Sequence, residues 1–303
     1  MSGWAKKSGR SHGMTPAKPT MTTIRAACLA VFLAACAETV ESEAQVAPVA
    51  APVEGSLFAA TPARQWRLPL ELREISGMAT TADGRLFAHD DEHAIIYELD
   101  AEDGRVVKRF SVGAPERGDF EGLAIDAQGA FWITTSTGQL MRFREGDNGA
   151  RVPFESFDTG LGPVCEIEGL AFLAATESLI LACKRNEARD MRDTIVLYQW
   201  RQGAGAQVWR SLAESEITQA AGVRNFRPSS VEIDARSGRT LILSASNGAL
   251  AELDSDGALR SARALSRDHG QAESLAVLAN GALALADEGG DARALLSVYD
   301  RGP

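Results

Sequence analysis

Three glutamates hold matching places in a short motif that recurs along the chain. They are Glu121, Glu168 and Glu273, found in Asp119-Phe120-Glu121-Gly122-Leu123-Ala124, Glu166-Ile167-Glu168-Gly169-Leu170-Ala171 and Gln271-Ala272-Glu273-Ser274-Leu275-Ala276. Two further copies put serine in the same column: Ser76 in Glu74-Ile75-Ser76-Gly77-Met78-Ala79 and Ser229 in Pro228-Ser229-Ser230-Val231-Glu232. By subtraction the five positions are 45, 47, 61 and 44 residues apart. A unit of short strands repeating every 40–50 residues is a propeller blade, and the innermost strand of each blade lines a central channel. The five side chains then meet at one channel mouth. Three carboxylates brought together repel and resist ionising unless a cation compensates them. Calcium suits them, since it takes six to eight oxygens in loose geometry, whereas zinc or copper would want the His or Cys that the column lacks. The metal-ligand candidates are therefore Glu121, Glu168 and Glu273, with Asp90 and Asp287 as secondary ones. The competing reading makes each Glu-Gly a strand-entry device whose carboxylate bonds backbone N–H groups of the next blade.

The elements that must position these residues are legible in each copy. A short apolar strand carries the key residue. A polar turn follows, such as Asp83-Gly84, Gln128-Gly129, Ser237-Gly238 or Asn280-Gly281. A second, more apolar strand comes next: Leu86–His89, Phe131–Thr135, Leu179–Cys183, Leu241–Ser244 and Leu283–Asp287. Alternating segments give the third strands at 95–99, 139–143, 194–200, 249–253 and 295–299. Fourth strands are weaker, as at 106–112 and 152–157. The last copy has no room for a fourth strand, while residues 65–70 read as a strand without a blade. The prediction is an all-β, five-bladed β-propeller of four-stranded blades, closed by the N-terminal strand completing the last blade. Six blades are the alternative, if the 61-residue unit hides a degenerate copy. Otherwise its excess falls in a charged loop, Lys184–Asp193, and in a longer stretch at 202–226.

Taken in order, Ile75-Ser76-Gly77, Phe120-Glu121-Gly122-Leu123-Ala124, Cys165-Glu166-Ile167-Glu168-Gly169-Leu170-Ala171-Phe172 and Gln271-Ala272-Glu273 resemble the SdiA-regulated domain family of bacterial envelope propellers over most of residues 65–300. The resemblance implies a five-bladed propeller, a bound calcium ion and a distant relation to protein-binding, NHL-repeat-like propellers. It implies no established enzymatic activity. Ser230 and Ser274 depart from the glycine that follows the key residue elsewhere.

The N-terminus reads as an address. Arg25 is followed by an apolar run from Ala26 to Ala35, the length of a signal-peptide core rather than a membrane span. The run ends in Leu33-Ala34-Ala35-Cys36, which resembles the bacterial lipoprotein signal with Cys36 as the lipidated residue. An ordinary secretory signal is the alternative, and Met14 or Met21 are alternative starts. Ala37 and Glu38, in place of an aspartate, point to an outer-membrane lipoprotein facing the periplasm or the cell surface. Residues 1–36 are thus read as signal peptide, 37–62 as a disordered Ala/Pro-rich tether and 63–303 as the propeller. The net charge of −10 excludes a basic nucleic-acid-binding stripe. No CxxC spacing or Cys/His cluster marks structural zinc. Cys165 and Cys183 fall at hairpin ends on the same edge and are disulfide candidates in an oxidising compartment.

No nucleophile elbow, P-loop, dinucleotide fingerprint or HExxH motif is present, and no catalytic residue is assigned. The expected function is a monomeric, lipid-anchored, calcium-binding module for a protein or small envelope ligand. The alternative is a calcium-dependent hydrolase (lactonase-, esterase- or phosphatase-like) at the channel mouth, with His89 and His93 as acid–base groups. The loops after the second strands, including His89–Glu92, Lys184–Asn186, Ser246-Asn247 and Asp287-Glu288, are expected at that same mouth.

Overall fold

A computed structural model describes residues 55–114 and 117–302. Among them, 21 strands form five sheets. β1 (Arg64–Arg67) precedes the first repeat. Blade 1 is β2 (Ile75–Thr80), β3 (Leu86–Asp90), β4 (Ile95–Leu99) and β5 (Val106–Val112). Blade 2 is β6 (Phe120–Ile125), β7 (Ala130–Thr135) and β8 (Gln139–Arg144); after the short β9 (Arg151–Val152), it is completed by β10 (Phe154–Asp158). Blade 3 is β11 (Cys165–Leu173), β12 (Ser178–Asn186), β13 (Thr194–Arg201) and β14 (Gly205–Ala213). Blade 4 is β15 (Pro228–Ile233), β16 (Thr240–Ser244), β17 (Ala249–Leu253) and β18 (Leu259–Ala264). Blade 5 is β19 (Ala272–Val277), β20 (Leu283–Asp287) and β21 (Leu295–Tyr299), with β1 as its outer strand.

The ring closes as the sequence predicts, by antiparallel pairing of Arg64–Arg67 with Leu295–Val298. Five blades account for all the repeats, and the 61-residue unit holds no sixth. Its excess lies in a long β13–β14 hairpin and the helix α1 (Glu214–Ala221), which packs Ile217 into the core. β2, β6, β11, β15 and β19 are neighbours around the axis, each touching the next. Five apolar clusters fill the five seams between adjacent blades. Burial follows from this: β3, β16 and β20, each inside a blade and covered on both faces, are buried throughout, whereas the outer β5 alternates.

Three boundaries differ from expectation. Residues 152–157 are not one strand. Arg151–Val152 leave blade 2 and pair in parallel with Ser111–Val112 of blade 1, and only Phe154–Asp158 return. Next, the tether ends before residue 62. Phe58 is buried and bridges Arg301, while Leu57 N donates to both Glu252 carboxylate oxygens at 3.1 and 3.0 Å. The apolar Leu57-Phe58 pair finds a slot between blades 4 and 5 that composition cannot reveal. Lastly, Lys184–Asn186 belong to β12 rather than to a loop. The signal segment, Cys36 and residues 37–54 lie outside the described residues.

Candidate functional site

The side chains in the key column are aimed by one backbone device. In every innermost strand the register slips at the key residue. Ile75 pairs with Asp90 and Gly77 with His89, leaving Ser76 unpaired. Glu121, Glu168, Ser229 and Glu273 are skipped in the same way in β6, β11, β15 and β19. A β-bulge turns its extra residue out of the pleat, so each blade presents one bulged side chain at the entry of the channel. The glycine after it lets the blades approach. A Cβ on Gly122 would lie 2.7 Å from Leu170 N, and one on Gly169 2.8 Å from Val231 N.

Blade 3 carries a second slip, on the partner strand. Glu166 pairs with Arg185 and Ile167 with Cys183, so Lys184 is skipped as well. Lys184 is thus a sixth bulged residue, and it meets the third: its Nζ donates to Glu168 Oε1 at 2.9 Å and lies 3.9 Å from Glu166 Oε1. Its place in β12 was hidden because a Lys-Arg pair at the end of an apolar run reads as the start of a loop. Cys183, its neighbour, is disulfide-bonded to Cys165, with Cα atoms 5.6 Å apart, so a covalent staple flanks both slips.

The electrostatics show that these acids share one mouth. Burial raises the Glu121 carboxyl well above the usual carboxylate range. Glu168 and Asp119 add to this, against a 3.1 Å hydrogen bond from Ser76 Oγ and the pull of Lys184. Burial also raises Glu168, opposed by Lys184. Glu273 is pushed up to about 8 by burial, Glu288 and Glu168. Glu288 goes to about 7 through burial, Asp91, Glu74 and Glu168. Asp91 goes to about 6 through burial, Glu74, Asp90, Glu92 and Asp119. Burial works to lower the Lys184 ammonium, but Glu168, Glu273 and Glu166 outweigh it, and its pKa is raised. Acids of blades 2, 3 and 5 therefore surround this ammonium, and Glu288 links them to Asp91 and Glu74 of blade 1. Ser229 does not join it by side chain; its Oγ donates to Ala272 O at 2.9 Å.

The donor chemistry of this mouth suits a hard cation such as calcium. The arrangement is not a finished cage. Among the described residues no three His, Cys, Asp or Glu groups stand close enough together to hold a metal ion, and the Lys184 ammonium takes the place beside Glu168.

Residues 73–290 match the SdiA-regulated family. The chain belongs to the SdiA-regulated family. No curated protein matches it. Solved structures superpose on it to differing extents. Glutaminyl cyclase from Myxococcus xanthus superposes with a TM-score of 0.51 at 14% identity, covering 80% of this chain and 97% of that one. The PQQ-bound aldose sugar dehydrogenase from Streptomyces coelicolor gives 0.49 at 14%, covering 79% and 97%. A gluconolactonase from Xanthomonas campestris gives 0.43 at 19%, covering 75% and 72%. At such identities the likeness concerns the fold alone.

In this SdiA-regulated propeller the remaining sequence candidates have structural duties. The last residue of each second strand caps the turn beyond it or fixes the incoming chain. Asp90 Oδ1 accepts from Glu92 N and His93 N, at 3.1 and 2.9 Å. Thr135 accepts from Gln139 N, Asn186 from Ala188 N, Ser244 from Arg227 N and Asp287 from Gln271 N. Asp287 also accepts from His269 at 2.6 Å, and the other nitrogen of that ring meets the Tyr299 hydroxyl. Asp90 and Asp287 are thereby engaged by backbone N–H groups of the adjoining loops. His89 is inside β3, fully buried and pressed against Gly77, and burial lowers its pKa, so it is a neutral packing residue. The Nδ1 of His93 contacts Asp90 at 3.2 Å. The Nε2 of His89 is buried without a hydrogen-bond partner, and His93 shares a surface pocket with Glu74, Asp90 and Glu92.

Proposed function

We propose that this protein is a lipid-anchored binding module of the bacterial envelope, whose axial mouth takes a cation, calcium first, in exchange for the Lys184 ammonium. One observation carries the reading. Three of the five bulges deliver the buried Glu168 and the half-buried Glu121 and Glu273, all with raised carboxyl pKa, to a mouth where Lys184 is the ammonium bonded to Glu168. Such a ring is short of positive charge, and a divalent ion would relieve it. Bound there, calcium would cross-link the innermost strands and fix the mouth that a protein or small envelope ligand meets. The anchor rests on the Leu33-Ala34-Ala35-Cys36 signal. Among the described residues no helix is long and apolar enough to cross a membrane.

The experiment is a calcium titration of the full chain with melting followed at pH 8. Calcium raises the melting temperature of the parent protein. Glu168→Gln weakens that rise, while Lys184→Gln increases calcium affinity by about tenfold, the worth of one competing charge-assisted contact. Melting that is the same with calcium and with chelator in the parent and in Lys184→Gln would refute the proposal.

A further inference from the structure

We propose that blade 2 carries a second binding site, for a small carboxylate with an apolar tail, at the end of its strands away from Glu121. The site arises where the propeller repeat is broken. Arg151–Val152 cross to blade 1, Pro153 marks the switch, and Phe154 returns to pair with Phe143 of blade 2. The diverted chain opens a cavity of about 430 Å³. It is lined by Val152, Pro153 and Phe154 over the buried Phe143, with Arg142, Arg144 and Glu155 at its polar side. Phe154 is 39% exposed, a rare large apolar side chain left in solvent, and its ring lies on Gly113 of blade 1, where a Cβ would meet it at 2.6 Å.

Arg142 is the group that asks for a ligand. Its guanidinium lies over the Trp132 ring, 5.4 Å from the centroid, which fixes its plane. No hydrogen bond from any of its N–H groups is formed to the described residues, and the buried Nε is without a partner. It makes two long ion pairs, with Asp126 at 3.9 Å and the exposed Glu155 at 3.6 Å, neither within hydrogen-bond range. Asp126 is already engaged by Trp132 Nε1 at 3.0 Å and by Ala130 N at 2.8 Å. A planar fork whose donors make no hydrogen bond, beside an apolar trough, matches a carboxylate head that displaces the long Glu155 pair and a hydrocarbon tail. In a chain with net charge −10, an anion finds few such places. The axial mouth, ringed by carboxylates, would repel the same ligand.

The test uses decanoate below its micelle-forming concentration, titrated calorimetrically into the full chain. Decanol and acetate serve as tail-only and head-only controls. Saturable decanoate binding is expected, with both controls weaker by about tenfold or more. Arg142→Gln weakens decanoate by about tenfold or more, and Arg142→Lys, which keeps the charge and loses the fork, does nearly as much. Glu155→Gln strengthens it about threefold by removing the competing carboxylate. Unchanged melting temperatures show that the variants fold, and Arg142→Lys carries the test if Arg142→Gln does not. No saturable binding by the parent chain, or equal binding by the parent and both Arg142 variants, overturns the proposal.

Discussion

At the scale of residues, one column position governs the mouth and a neighbouring one governs the seams. Three positions after the key residue stand Ala79, Ala124, Ala171 and Ala276, and blade 4 alone breaks the pattern with Glu232. The four alanines are buried where adjacent blades meet. Glu232 brings a carboxyl to that place, held by Ile233 N at 2.8 Å, and burial pushes it up to about 8. Glu273 is pushed up to a similar value. A carboxyl whose folded pKa is raised contributes stability fully below its ordinary value of 4.5 and loses it as pH rises through about 8. The calcium-free protein is therefore expected to melt at progressively lower temperature across that window. Glu232→Gln should flatten the profile and gain about 2 kcal/mol at about pH 9, measured by denaturant unfolding. A profile unchanged by Glu232→Gln would show that this carboxyl ionises freely in the fold.

At the scale of elements, the bulge and the turn are the devices that repeat. Four of the five turns between first and second strands use a glycine with positive φ: Gly84, Gly129, Gly238 and Gly281. Blade 3 puts Glu177 there at φ 46°, the one non-glycine residue in the left-handed region among the described residues. Left-handed backbone strains a side-chain-bearing residue, so Glu177→Gly should stabilise by about 0.5–1 kcal/mol. Gly122→Ala should act oppositely, since its Cβ would press on Leu170 backbone and side chain at 2.7 and 2.8 Å. A loss of about 1–3 kcal/mol is expected, with the bulge, and hence Glu121, displaced. Chemical denaturation of the two variants against the parent checks both signs. The turn glycines were legible because Asp-Gly and Asn-Gly pairs announce a turn. The bulges were not, since an innermost strand buried on both faces has no period-two alternation for a skipped residue to interrupt.

At the scale of the whole molecule, stability depends on closing the ring. β1 covers the otherwise open edge of β21, and its neighbours Leu68 and Leu72 fill the seam between blades 5 and 1. Phe58 closes the seam between blades 4 and 5 from outside, and Arg301 ties Asp234 at 2.6 Å. A chain starting at residue 69 keeps every complete first, second and third strand, yet exposes the β21 edge. It is expected to lose cooperative unfolding and to associate through that edge, seen as a broadened melt and a larger species by light scattering. A chain shortened only to residue 55 should melt as the parent does. Equal behaviour of both truncations would show that the N-terminal strand does not close the ring.

The sequence by itself determined the repeat, the closing strand and the column of Ser76, Glu121, Glu168, Ser229 and Glu273. These follow from hydrophobic period and spacing, which are local properties of the chain. Tertiary structure alone decided which charges share space. Lys184 and Glu168 are 16 residues apart and meet because two slips in one hairpin turn both outward. Asp90 and Asp287, acidic and at the ends of their strands, accept backbone N–H groups of the adjoining loops, contacts that no local pattern announces. The trough beside Arg142 exists because two residues change blades at Pro153, a choice made by the packing of blade 1 against blade 2 and written in no local motif. Electrostatic neighbourhoods depend on three-dimensional distance, and a pattern along one dimension sets only which elements can bring them together.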